Sequence, residues 1–113
     1  MTSPREILPP RREQLTETLL VGRGEGNRLP VEVSVGFDPT SGQPREVFLC
    51  GAKDGSDRAF ELADIAVALS VALQSGVSAA AMAHSVARLP SGEPVTATGA
   101  ALDLLAQYER GEL

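Results

Sequence analysis

The chain has 113 residues and a formal net charge of −5, with one cysteine, one histidine and no tryptophan. Its length fits one domain that buries roughly 65% of the surface its unfolded form exposes. The acidic balance argues against general DNA or RNA binding, which needs clustered Lys and Arg, and a single thiol excludes an internal disulfide or a multi-cysteine zinc site.

Charge is uneven along the chain. Residues 1–28 carry five Arg and four Glu, whereas residues 29–113 carry five basic and eleven acidic side chains. The Arg5, Arg11, Arg12, Arg23 and Arg28 group could meet an acidic partner, but a solvated arm is the simpler reading. No signal-peptide pattern follows Arg5, and no run approaches ~20 apolar residues, so no membrane span is expected. A lone thiol fits a reducing, cytoplasmic setting. With few aromatics the core must rest on Leu, Val and Ala. Alanine buries little area, so close packing or a partner chain has to supply the rest.

Pro4, Pro9 and Pro10 favour extended backbone, so residues 1–14 read as an N-terminal arm and 15–110 as a single domain. Leu15–Val21 is a first strand. Gly22-Arg23-Gly24-Glu25-Gly26-Asn27 supplies the positive-φ positions of a hairpin turn. It lacks the spacing of a nucleotide-binding glycine loop, and no helix pattern follows it. Val31, Val33, Val35 and Phe37 alternate with Glu32, Ser34 and Gly36, the pattern of a half-buried strand. A turn from Asp38 to Pro44 leads into a third strand from about Arg45 to Cys50, completing an antiparallel meander.

The next segment reads as a helix capped by Ser56 or Asp57 and ended by Gly76. Leu62, Ala66, Leu69 and Leu73 form one face. Ile65, Ala68 and Ala72 form a second, and Phe60, Ala63 and Val67 a third. An all-round apolar helix predicts burial on more than one side, with cover from later helices or a second subunit. Ile65, Ala68, Leu69 and Ala72 are the candidate interface positions. Ser78 caps a short helix from Ala79 to about Arg88, and Thr98 starts a last one, about Gly99–Glu109. The predicted class is α+β: a three-stranded antiparallel meander, a buried helix and two shorter helices.

Few residues here invite chemistry. His84, the sole histidine, reads as a surface or partly packed side chain rather than a catalytic base. Cys50 reads as a small buried hydrophobe. No metal, cofactor or catalytic motif is apparent, and none is expected. The exception is Gly51-Ala52-Lys53-Asp54-Gly55-Ser56. A strand, a cation and a helix N-terminus converge there, which is what an anion needs. Lys53, Gly55, Ser56 and Arg58 are the candidate ligand residues for a phosphate or nucleotide, with Arg45 as a further helper. The competing reading is a tight strand-to-helix turn in which Ser56 caps and Lys53 pairs with Asp54 or Asp57.

Four stretches in order resemble one known family. They are Gly42-Gln43-Pro44-Arg45-Glu46-Val47-Phe48-Leu49, the Gly51–Ser56 junction, Leu69-Ser70-Val71-Ala72-Leu73-Gln74-Ser75-Gly76-Val77, and Gly99-Ala100-Ala101-Leu102-Asp103. Leu8-Pro9-Pro10-Arg11-Arg12 adds a lead-in. Together they resemble the TSCPD domain, a module near the C-terminus of cobalamin-dependent (class II) ribonucleotide reductases that also occurs as short free-standing proteins. The Thr-Ser-Cys-Pro-Asp signature, the paired C-terminal cysteines and the catalytic barrel of the reductase are missing. The resemblance therefore implies a non-catalytic accessory domain of deoxyribonucleotide metabolism, homodimeric or bound to a reductase chain, and not an enzyme by itself.

Overall fold

Val31, Val33, Val35 and Phe37 are all buried while Glu32 is exposed, so the alternation in the sequence marks the central strand of the sheet. The computed structural model of the chain describes residues 14–22, 29–51 and 55–112. The proline-rich arm, the five-arginine group, Lys53, Asp54 and most of the first glycine turn lie outside the described residues. The sheet has three antiparallel strands in the order β1 (Gln14–Val21), β2 (Leu29–Phe37) and β3 (Pro44–Cys50). Cross-strand rows run Leu15–Val35–Val47 and Glu17–Val33–Leu49 on the inner face. A register shift at Gly36/Phe37 sets Phe37 opposite Pro44. Asp38 organises the β2–β3 turn, accepting from Thr40 N–H at 3.1 Å and from the Ser41 hydroxyl at 2.8 Å.

The first helix, α1 (Asp57–Gln74), starts at Ser56, whose hydroxyl accepts from Ala59 N–H at 3.2 Å. It ends where Val77 N–H reaches back to Ala72 C=O at 3.0 Å, around Gly76. Leu62, Ala66, Leu69 and Leu73 are buried, as the helical spacing requires. The same side of α1 closes the outer edge of β3. Ser70 bonds both the N–H and the C=O of Val47, and the Gln74 amide donates to Arg45 C=O at 3.1 Å.

The expectation that α1 is buried on more than one side fails within the single chain. Phe60 and Val67 are 61% and 63% exposed. The later helices pack on each other and on the sheet, leaving this flank of α1 bare. The helix enclosed on several sides is instead α3 (Ala97–Glu109), in which Ala97, Ala100, Ala101, Leu102, Leu104, Leu105, Ala106 and Tyr108 are all buried. It lies between the sheet and α2 (Ala79–Ala83).

Two boundaries differ from expectation. Helix α2 stops at Ala83, well before Arg88, because Arg88 is drawn away to α3. Its guanidinium donates to both Asp103 carboxylate oxygens, at 2.7 and 2.9 Å, and to Ala83 C=O at 2.9 Å. Helix α3 starts two residues early, because Thr96 and not Thr98 is the cap: Thr96 Oγ1 accepts from Gly99 N–H at 3.1 Å. At the other end of α3, Glu109 reaches α2 and accepts from Ala79 N–H at 2.6 Å and Ala80 N–H at 3.1 Å. With Ser78 bound to Ala81 N–H at 3.1 Å, three donors of this short helix are satisfied by side chains.

Candidate functional site

The strand-to-helix junction places its residues as follows. Gly51 leaves β3 against the β2 backbone: a Cβ there would stand 2.7 Å from Pro30 C=O and 3.0 Å from Val31 Cα. Gly55 adopts φ +78°, a conformation that glycine takes without strain. Ser56 spends its hydroxyl on the helix cap. Arg58 is exposed on the first turn of α1, beside Asp57, whose carboxylate occupies the positive end of the helix dipole. Arg45 cannot assist there. It lies six residues upstream on an extended strand, roughly 20 Å away, and its Nη1 donates to Pro44 C=O at 3.0 Å. Lys53, on which the anion reading rests, lies outside the described residues.

The four interface positions scatter. Leu69 is buried in the chain's own core, Ile65 packs partly buried against that core, Ala72 is half-buried and Ala68 is exposed. The apolar surface left open lies one face further round. Phe60, Ala63 and Val67 form a stripe along α1. Phe48, 50% exposed, stands beside it on β3. Phe48, Ala63, Ala66 and Val67 line a groove of about 400 Å³ between strand and helix. The sequence carried a signal for Phe48. It sits between Val47 and Leu49, which are buried, so strand alternation turns it to the opposite face.

The same alternation corrects the reading of Cys50. It is exposed, not a buried hydrophobe, because it shares the outer face of the sheet with Phe48. Thr18, Glu32 and Cys50 form one cross-strand row there.

A second groove, about 580 Å³, runs between α2 and α3 and is lined by His84, Arg88, Asp103, Gln107 and Arg110 among others. Arg88 is committed to Asp103, which raises its pKa further, and also holds Gly92 C=O at 3.0 Å. His84 is the exposed residue that ends α2, not a mid-helix side chain. Among the described residues, no three His, Cys, Asp or Glu side chains gather as metal ligands. No helix among them is long and apolar enough to cross a membrane. At the far end of α3, the Tyr108 ring meets Phe37 edge-on at 5.2 Å, and its hydroxyl donates to the Glu17 carboxylate. Burial and then Glu17 push the Tyr108 pKa up to about 12.

A family model described as the TSCPD domain matches residues 2–108. The chain belongs to the TSCPD domain family. No curated protein and no solved structure matches it. Within this TSCPD domain, the residues that carried the sequence resemblance have architectural work. Gly51 permits close passage over β2, Ser56 caps α1, Ser70 and Gln74 close the β3 edge, and Asp103 fixes Arg88.

Proposed function

We propose that this TSCPD domain is a non-catalytic accessory module that docks onto a partner protein through the α1–β3 surface. The partner is a ribonucleotide reductase chain, which links the module to deoxyribonucleotide synthesis. The observation that carries the reading is the apolar stripe of Phe60, Ala63 and Val67 beside Phe48 and its groove. Large apolar side chains grouped around a groove mark an interaction site more often than scattered ones do. The choice of reductase rests on the family resemblance alone.

The test is a binding titration between the purified chain and a cobalamin-dependent reductase that lacks its own C-terminal module. Saturable binding that is lost in Val67→Glu supports the proposal. Absence of binding by a folded wild-type chain removes the reductase as partner, and binding that survives Val67→Glu and Phe60→Glu removes this surface.

A further inference from the structure

The two edges of the sheet are treated differently. The β3 edge is closed by Ser70 and Gln74. Strand β1 is the other edge, and among the described residues only β2 pairs with it. An open edge is a row of backbone donors and acceptors ready to pair with another strand, and proteins guard such edges with Pro, Lys, bulges or stray charges. The eight residues of β1, Gln-Leu-Thr-Glu-Thr-Leu-Leu-Val, contain no Pro and no Lys, and their pairing with β2 runs without a bulge. Their one charge, Glu17, is held on the helix side by the Tyr108 hydroxyl. Leu15 and Leu20 are left 44% and 64% exposed.

We infer that β1 pairs antiparallel with β1 of a second copy, giving a continuous six-stranded sheet in a two-fold symmetric dimer. The chemistry favours a second copy because the strand is complementary to itself when Thr18 lies on the axis. A two-fold axis normal to the sheet keeps inner faces together, so the numbers of paired residues must sum to an even value. An axis through Glu17 would set two carboxylates directly opposite, which is unfavourable. An axis through Thr18 avoids this. It sets Glu17 opposite Leu19, Thr16 opposite Leu20 and Leu15 opposite Val21. Both exposed leucines gain an apolar or β-branched neighbour, the cross-strand pairing that stabilises sheets. The pairing leaves the α1–β3 groove free, so it is independent of the docking surface proposed above.

The experiment is light scattering behind a sizing column, with cysteine cross-linking. The wild type should run at twice the 11.8 kDa chain mass. Leu20→Lys should run as a folded monomer, its fold checked by circular dichroism, while Val67→Glu stays dimeric. In a Cys50→Ser background, Thr18→Cys should cross-link on oxidation, since opposed residues lie ~4.5–5.5 Å apart, within disulfide reach. Thr16→Cys should not, because its two copies would stand roughly 14 Å apart. A monomeric wild type overturns the inference. So does a dimer that survives Leu20→Lys but is lost in Val67→Glu, or a dimer in which Thr16→Cys cross-links and Thr18→Cys does not.

Discussion

The Ser70 hydroxyl accepts from Val47 N–H at 3.0 Å and donates to Val47 C=O at 3.2 Å, so one side chain of α1 occupies both backbone groups of a strand residue. It does for Val47 what a fourth strand would do. Ser70 is buried, so its removal leaves a donor and an acceptor without water to replace it. Ser70→Ala should cost about 1–3 kcal/mol, measured by urea unfolding. It should also raise aggregation at high concentration, because it reopens an edge.

Tyr108 is the only tyrosine and the chain has no tryptophan, so tyrosinate absorbance reports this residue alone. Its folded pKa is pushed up to about 12, above the ordinary value near 10. A raised pKa means that the folded state favours the protonated form. The associated stability is fully present below pH ~10 and is lost as the pH climbs towards the folded value. The absorbance midpoint should therefore fall near pH 12 in the folded chain, and Tyr108→Phe should lack the stability loss between those values. A midpoint near 10 in a folded sample would contradict both the burial of Tyr108 and its contact with Glu17.

The carboxylate of Glu109 acts as a distant cap for α2. Glu109→Ala should destabilise the chain by about 0.5–2 kcal/mol, the usual range for losing a cap. Amide hydrogen exchange should accelerate first at Ala79 and Ala80. Unchanged protection there would show that α2 is held by packing alone.

Burial on the two long helices separates two apolar substitutions of similar appearance in the sequence. Leu105 is wholly buried and Val67 is largely exposed. Leu105→Ala should cost about 2–5 kcal/mol, whereas Val67→Ala should stay within about 0.5 kcal/mol. Chemical denaturation of the two variants checks which helix the chain encloses.

The central strand was readable because its residues alternate strictly. Val31 to Phe37 announced both the strand and its inner face. The helix cap at Ser78 was equally plain, since Ser before an apolar run has one strong use, whereas the cap of α1 was narrowed only to Ser56 or Asp57. The enclosing of α3 in place of α1 was not readable. Both helices are rich in Ala and Leu, and which flank is covered depends on where α2 and α3 turn back. That turn is set by Arg88 reaching Asp103, fifteen residues on, a pairing that no local pattern shows. The junction looked like a ligand loop for a similar reason. Gly51 has a tertiary cause, contact with Pro30 and Val31, which lies twenty residues earlier in the chain.

That contact ties the end of β3 to the entry of β2. Gly51 passes so close to Pro30 that any Cβ at position 51 would collide with the Pro30 carbonyl, so the two strands can meet there only with glycine at the end of β3. A side chain at position 51 would therefore press on the hairpin that carries the β1 edge, and the strand that bears Phe48 and the strand that leads to that edge constrain each other's sequence.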